Sequence, residues 1–324
     1  MKILPKKVFL LWRMHLVMSQ ISYKIQATFK SKDTEELLDR LFYRPFGYLM
    51  AIGSKKIGFS PNVITIISII FGVTAGLLFF YNNVTLNLIG VVLLVLAETM
   101  DSADGQLARM TNIHSRFGKI FDGVAGNLMF ISIYLSLCAR FVLNGGTPWI
   151  FLIAVISGLS HSYQSAMSEY YRNFYLYFVY GKNGATIDEA KDMKEKYKNY
   201  NWLKNFGKKF LLRVYINYTL QQESLSKSIR KFYKSVHEKY KRQLPDWLIQ
   251  EYRRLNKPLL KYGNILTTNT RMIVLIITIF YADILYYFLF ELIILNFLLI
   301  YFVLKHEKTS KQLIEYSSAH TEAA

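Results

Sequence analysis

The sequence predicts an all-α, polytopic integral membrane protein with six transmembrane helices, an N-terminal amphipathic helix and a cytosolic helical insertion. The chain of 324 residues is 52% hydrophobic yet carries a formal net charge of +18, and its mean hydropathy is +0.18. Its apolar residues fall in long runs that basic stretches separate. Because an α-helix needs about 20 apolar residues to cross a bilayer, these runs indicate membrane spans and not the core of a water-soluble domain.

Residues 1–57 are predicted to form a basic cytosolic arm followed by a juxtamembrane helix at residues 33–56. Leucines and phenylalanines recur on one side of this helix and charges on the other, which is typical of a helix that lies in the headgroup boundary. Asp33 or Thr34 is predicted to cap the helix, and Pro45 to interrupt it. A partner-binding role for the arm is the alternative interpretation.

Residues 58–179 are predicted to hold the first four transmembrane helices. The first follows Ser60 and Pro61, and proline is well suited to the first turn of a helix. The second is predicted to continue as a helix beyond its apolar part. The predicted spans are residues 62–81, 87–100, 118–142 and a fourth that starts at Trp149.

Residues 180–266 interrupt the apolar pattern and are predicted to form a basic cytosolic insertion made of helices. The segment from Thr186 to Glu189 has the pattern of a capping box at a helix start. Residues 226–242 are predicted to form a basic helix with interleaved aromatic residues. Two more transmembrane helices are predicted within residues 267–304, and a cytosolic tail at residues 305–324.

The distribution of lysine and arginine predicts one topology. These residues concentrate in the arm, the connector at 109–119, the insertion and the tail, whereas the turns near residues 84, 145 and 283 have few. The positive-inside rule then places both termini in the cytosol, in a bacterial inner membrane or an endomembrane. Attraction to anionic lipid headgroups explains the basic excess, and we predict no nucleic-acid partner because no binding motif accompanies the charge. The single cysteine, Cys138, excludes an intramolecular disulfide.

An acidic stretch lies where the second and third predicted spans meet. Asp101, Asp104, Gly105 and Ala108 share one helix face because positions three, four and seven apart stack, and Asp122 begins a similar face on the next helix. Three carboxylates that converge between membrane helices repel one another and resist desolvation. A bound Mg²⁺ or Mn²⁺ relieves both problems, since hard cations prefer oxygen ligands.

The order and spacing of these residues resemble the signature of the CDP-alcohol phosphotransferase family, D-x2-D-G-x2-A-R-x8-G-x3-D-x3-D. Seven of its eight fixed positions match. The matching residues are Asp101, Asp104, Gly105, Ala108, Arg109, Gly118 and Asp122. The alternative is that the acids merely cap the end of a cytosolic helix.

The resemblance implies a divalent-metal-dependent transferase that moves a substituted phosphate from a CDP-alcohol to an acceptor alcohol and releases CMP. It implies that Asp101, Asp104 and Asp122 hold one or two metal ions, with Asp122 also counted as catalytic. Substrate contacts are expected at Gly105, Ala108, Arg109 and Gly118, and Arg109 either pairs with a phosphate or locks the helix through a salt bridge. The implied partners are a CDP-linked donor, a lipid or polyol acceptor, membrane lipids and a second copy of the chain in a homodimer. The basic insertion is expected to lie near the anionic donor.

One position departs from the signature. Gly126 stands where the family has its fourth aspartate, which is the expected general base. Glu98, on the motif face, and His161, on the fourth span, are candidates to replace it. The alternative is a catalytically impaired member of the family that binds lipid or nucleotide, or that acts as a scaffold.

Two further sets of residues have open interpretations. Asn62 and Thr65 either contact the cytidine, as the resemblance implies, or only cap the first span. A polar stripe on the fourth span, which includes His161 and Gln164, either lines the acceptor site or marks the helix as it leaves the membrane. Beyond Glu169 the second interpretation is favoured.

Overall fold

A computed structural model describes Gln26 and residues 31–113, 116–181, 185, 187–240 and 244–322. Every secondary-structure element within these residues is a helix, which confirms the all-α prediction. Residues 1–25 and 27–30 of the predicted arm lie outside the described residues. So do Thr186 of the expected capping box and Lys241 and Arg242 of the expected basic helix.

Thirteen α-helices organise the described chain, with short turns of other helix types between some of them. In chain order they are α1 (Arg44–Ile57), α2 (Pro61–Leu78), α3 (Val84–Thr111), α4 (Arg116–Leu143), α5 (Ile150–Tyr180), α6 (Ala190–Lys198), α7 (Phe206–Ser224), α8 (Lys227–Tyr240), α9 (Asp246–Asn256), α10 (Leu260–Ile265), α11 (Thr268–Tyr281), α12 (Ile284–Leu289) and α13 (Asn296–Glu322).

Six helical segments of the described residues are long and apolar enough to cross a membrane, as the sequence predicts. They are Pro61–Leu78, Val84–Thr111, Ile120–Leu143, Ile150–Tyr180, Asp246–Tyr281 and Ile284–Ala319. The fifth segment joins α9, α10 and α11, so it begins before residue 267, the start of the region predicted to hold the last two spans. The chain is therefore a multi-pass membrane protein.

The juxtamembrane helix begins later than predicted and runs through its proline. Helical structure starts at Leu37, and a π-helical turn, Asp39–Tyr43, leads directly into α1. Pro45 lies just after this turn, at the second position of α1. Asp33 does not cap the helix, because its carboxylate instead accepts a hydrogen bond of 2.7 Å from Arg253 in α9.

Two glycines bring α2 into close contact with α4. A Cβ atom built on Gly76 would lie 2.5 Å from Ser132 Oγ, and one built on Gly72 would lie 2.6 Å from Met129 Sδ. Such small residues allow membrane helices to approach at backbone distance. Ser132 Oγ also donates a 3.0 Å hydrogen bond to the carbonyl oxygen of Val73, so a polar contact joins the two helices at the same place.

A buried ion pair joins the last spans to α5. Arg271 and Glu291 are both fully buried, and Arg271 Nε lies 3.2 Å from Glu291 Oε1. Tyr134 and Tyr287 donate to the same carboxylate, and Arg271 also donates to Gln164 Oε1. Charges at membrane depth are costly unless they are paired and hydrogen-bonded, and here each one is.

The predicted tail is not a separate segment. Helix α13 continues without a break from Asn296 to Glu322, and residues 302, 306, 310 and 313 are buried while 305, 308 and 311 are exposed. Leu313 packs with Phe232 of α8 in one apolar core. The helix therefore has no break at residue 305, where the predicted cytosolic tail starts, because amphipathic spacing maintains it beyond its apolar part.

Candidate active site

Three aspartates from two helices lie together at one end of the bundle. Asp101 and Asp104 belong to α3 and Asp122 belongs to α4. One carboxylate oxygen from each lies within 4.8 Å of the other two. Among the described residues, these three acids form the group that is close enough together to hold a metal ion. Asp104 is buried and the other two are half-buried. We refer to these residues as the aspartate triad.

The reversal between α3 and α4 places the triad. Helix α3 ends at Asn112, which has a left-handed backbone with φ of 54°. Asparagine tolerates this conformation better than most residues, and it commonly ends a helix in this way. The backbone N–H of Asn112 bonds to the carbonyl oxygen of Ala108. Because α4 begins only four residues later, at Arg116, Asp122 is returned to the level of Asp104.

Thr65 fixes one member of the triad. Its hydroxyl oxygen lies 2.5 Å from Asp104 Oδ2, and the side chain is 97% buried. The same hydroxyl is 3.1 Å from the carbonyl oxygen of Pro61. Thr65 thus orients a carboxylate of the triad from the neighbouring helix.

Two chambers meet at the triad. The first chamber has a volume of about 310 Å³ and contains all three aspartates with Gly105 and Arg109. The second has a volume of about 300 Å³ and extends between α4, α5 and α7. The residues that line both are Glu98, Asp101, Asp122, Ser165, Glu169, Arg172, Tyr218 and Thr268.

Two arginines in these chambers have buried nitrogen atoms without hydrogen-bond partners. These are Nε and Nη2 of Arg109 and Nε of Arg172. Buried guanidinium groups ordinarily have partners, and leaving one unsatisfied is costly. Since Arg109 lines the first chamber and Arg172 lines both, the arrangement is suited to an anionic ligand that would supply the missing acceptors.

Comparison with known proteins agrees with this geometry. Residues 59–169 match the family model described as CDP-alcohol phosphatidyltransferase. Residues 59–169 are thus similar to a CDP-alcohol phosphatidyltransferase domain. That domain begins just before α2 and ends within α5, so it contains the whole aspartate triad.

The chain also has curated relatives. Over 80 residues the chain is 41% identical to the CDP-diacylglycerol--glycerol-3-phosphate 3-phosphatidyltransferase of Rickettsia typhi (strain ATCC VR-144 / Wilmington), a match that covers 25% of this chain and 45% of the relative. The enzyme of the same name from Rickettsia prowazekii (strain Madrid E) is also 41% identical over 80 residues, or 25% of this chain and 44% of that relative. The match therefore spans less than half of each relative. No solved structure matches the chain significantly.

The other residues predicted to contact the substrate differ in where they lie. Gly105 lines the first chamber, and an added Cβ there would meet only the tip of Arg109, at 3.6 Å. Ala108, Gly118 and Asn62 are not among the residues that line either chamber. Asn62 is exposed at the second position of α2, where an interaction with the helix start is the simpler interpretation.

The two candidates for the missing base differ in their surroundings. Glu98 lines both chambers. His161 lines only the second, where its Nδ1 is 3.4 Å from the Tyr134 hydroxyl and 3.9 Å from Glu291 Oε1. Gly126 also lines the second chamber, and no atom lies within 4 Å of the position that its Cβ would occupy.

The polar stripe on α5 has two separate roles. Gln164 faces the bundle interior, where its Nε2 donates to the carbonyl oxygen of Glu291 at 3.1 Å and to Asn296 Oδ1 at 2.8 Å. Glu169 and Arg172 line both chambers. A helix that merely leaves the membrane, the interpretation favoured beyond Glu169, does not by itself account for the position of Arg172 in the chambers.

Several residues that line the chambers lie outside the domain and were not predicted. Asn269 Nδ2 donates to Glu36 Oε2 at 2.8 Å and to Asp39 Oδ1 at 2.9 Å, and all three line the first chamber. Burial raises the pKa of the Glu36 and Asp39 carboxyl groups above their ordinary values. In the sequence, the signal that could have identified Glu36 and Asp39 is the row of acidic residues on the polar side of the juxtamembrane helix. The basic helix α8, which is expected near the donor, packs on α13. From the insertion, Tyr218 of α7 lines both chambers.

Proposed function

We propose that this protein is a CDP-alcohol phosphotransferase of membrane phospholipid synthesis. It transfers a substituted phosphate from a CDP-linked alcohol to the hydroxyl group of a second alcohol and releases CMP. The observation that supports this most strongly is the aspartate triad, whose ligand oxygens lie within 4.8 Å of one another inside the matched domain.

The donor set suits Mg²⁺ or Mn²⁺, as one or two ions. Asp101, Asp104 and Asp122 supply carboxylate oxygens, which are the ligands that these hard cations prefer, and a diphosphate would complete the coordination. When bound, the ions would neutralise charge on the donor diphosphate and on the leaving group. Thr65 orients Asp104 for this role through its hydrogen bond of 2.5 Å.

The protein's own contribution is mainly positioning. Phosphoryl transfer passes through a loose transition state, so alignment and electrostatic stabilisation account for most of the catalysis. The buried nitrogens of Arg109 that have no partner would bind a donor phosphate in the first chamber. Gly105 leaves space for the nucleotide beside them. An acceptor in the second chamber would meet the donor at the residues that both chambers share.

The acceptor that we propose is a phosphorylated polyol, with CDP-diacylglycerol as donor. The Rickettsia relatives are named for glycerol 3-phosphate and CDP-diacylglycerol. In this chain Arg172, whose buried Nε has no hydrogen-bond partner, lines both chambers and would bind the acceptor phosphate. A neutral acceptor such as diacylglycerol or a ceramide-like lipid would leave that nitrogen without a partner.

CMP release from CDP-diacylglycerol and glycerol 3-phosphate tests the proposal. With Mg²⁺ or Mn²⁺ present we expect turnover that a chelator abolishes. Asp122→Ala should lower it by roughly 10²-fold or more, since charge neutralisation at the leaving group is worth several kcal/mol. Asp246→Ala is the matched control, because Asp246 is exposed and lies outside both chambers.

Three outcomes would separate the alternatives. Activity that survives Asp122→Ala would contradict the metal site. Turnover with diacylglycerol but not with glycerol 3-phosphate would contradict the acceptor. Donor-dependent thermal stabilisation without CMP release, with every acceptor tried, would favour the impaired, lipid-binding or scaffolding role that Gly126 suggests.

We also infer that both termini lie in the cytosol and that the chain forms a homodimer. The positive-inside distribution of lysine and arginine supports the first inference, and family resemblance supports the second. Glu315 is exposed on α13, so a Glu315→Cys variant should react with an impermeant thiol reagent only in opened membranes. The mass of the protein in native nanodiscs tests the dimer.

A further inference from the structure

The lost fourth aspartate leaves a gap beside the triad, and the structure contains an acid that reaches the same space. Gly126 lines the second chamber, and its missing side chain would meet no other atom within 4 Å. An acceptor hydroxyl at the junction of the chambers needs a proton acceptor, since general-base catalysis is worth about 10²–10⁴-fold. The inference that follows rests on the proposed function.

Four carboxylates line both chambers: Glu98, Asp101, Asp122 and Glu169. Asp101 and Asp122 belong to the triad and are assigned to the metal. Glu169 is already engaged, because Tyr218 donates to its Oε2 at 2.8 Å and Asn173 donates to its Oε1 at 3.4 Å. Hydrogen bonds to a carboxylate stabilise its charged form and make it a weaker base.

Glu98 differs from the other three. No described residue donates a hydrogen bond to it, so its lone pairs remain available in the shared space of the two chambers. It precedes Asp101 by three residues on α3, and residues at that spacing are neighbours on a helix surface. It also lines both chambers together with Asp122. Glu98 therefore lies beside the triad without belonging to it.

His161 is less well placed for this role. It lines only the second chamber, and its Nδ1 faces the Tyr134 hydroxyl at 3.4 Å within the buried network around Glu291. Its ring also packs edge-on against Phe130, with centroids 4.5 Å apart. These contacts direct the imidazole toward the bundle interior.

We propose that Glu98 is the general base of the transfer, in place of the aspartate that Gly126 replaces. The Glu98 carboxylate takes the proton of the acceptor hydroxyl as that oxygen forms a bond to the donor phosphorus. The bond between the phosphorus and the CMP oxygen breaks, and CMP leaves with the electron pair. The proton passes from Glu98 to solvent through the open chamber, which restores the carboxylate.

The test is a loss of activity followed by a rescue. Glu98→Gln should lower the rate of CMP release by about 10²–10⁴-fold, while stabilisation by CDP-diacylglycerol and Mn²⁺ stays as in the wild type. The double variant Glu98→Gln with Gly126→Asp should recover at least tenfold, because the space around Gly126 accepts a side chain without a clash. A structural role for Glu98 would not be rescued from another helix.

Each other result overturns the assignment. If the wild-type protein releases CMP and the rate of Glu98→Gln stays within about threefold of the wild-type rate, Glu98 is excluded as the base. The proposed function is then left intact. A double variant as slow as Glu98→Gln, or a greater loss in Glu169→Gln than in Glu98→Gln, excludes it as well. A wild-type protein that releases no CMP from any donor contradicts the proposed function itself.

Discussion

At the scale of single residues, the site depends on groups that hold a carboxylate of the triad in place. Thr65 shows this most clearly, because it is buried on α2 and its hydroxyl lies 2.5 Å from Asp104 Oδ2 on α3. Partners behind a metal ligand fix its orientation, and their loss typically weakens metal affinity 10–100-fold. The same contact ties the first span to the signature helix, so a single hydroxyl serves both packing and the site.

Replacement of Thr65 by valine separates these two effects. Thr65→Val preserves the shape of the side chain and removes the donor to Asp104, so we expect the Mn²⁺ concentration for half-maximal activity to rise about 10–100-fold. The maximal rate at saturating metal should fall much less. Thr85→Val is the matched control, because Thr85 is exposed at the start of α3. An unchanged metal requirement would show that the Thr65 contact does not organise the triad.

At the scale of elements, the segment that precedes the juxtamembrane helix is fastened to the insertion. Asp33 receives hydrogen bonds of 2.7 Å from Arg253 and 2.8 Å from Tyr175, and Lys257 Nζ lies 2.8 Å from its other oxygen. Burial raises the pKa of Asp33, but these bonds and the charge of Arg253 outweigh it and lower the pKa to about 2. The juxtamembrane helix is thus joined at its start to α9 and along its polar side to Asn269.

The lowered pKa fixes the sign of a pH effect on stability. A carboxyl group whose pKa is lowered by folding stabilises the fold at pH values above its unfolded-state pKa, which is near 4. This contribution is lost as the pH falls toward 2. We expect Asp33→Asn to lower the free energy of unfolding by about 1 kcal/mol at pH 7, since its cationic partners are about half exposed and solvent screens them. Thermal unfolding of both proteins should show this difference shrinking below about pH 4. A difference that persisted unchanged at pH 3 would contradict the ion pair as its source.

At the scale of the whole molecule, the sequence predicted what local periodicity determines. The six spans and the continuation of α3 through the acidic motif follow from hydrophobic runs and helical spacing, which are properties of neighbouring residues. The contact of Asn269 with Glu36 joins positions 233 residues apart, and Arg271 meets Gln164 across 107. No local pattern encodes which distant polar groups will pair. The triad was accessible from sequence because its spacing had a known counterpart, whereas Arg172 and Tyr218 had none.

The C-terminal helix shows how far the packed molecule extends beyond its membrane spans. Leu313 is fully buried against α8, while Leu304 on the same helix is 64% exposed. Leu313→Ala should therefore lower the free energy of unfolding by about 2–5 kcal/mol, through lost burial and a residual cavity. Leu304→Ala, the matched control, should change it much less, because no cavity forms at an exposed position. Unfolding in detergent, followed by thermal melting, measures both. Equal and small effects would mean that residues 305–322 behave as a free tail and that the insertion and the last span do not share a core.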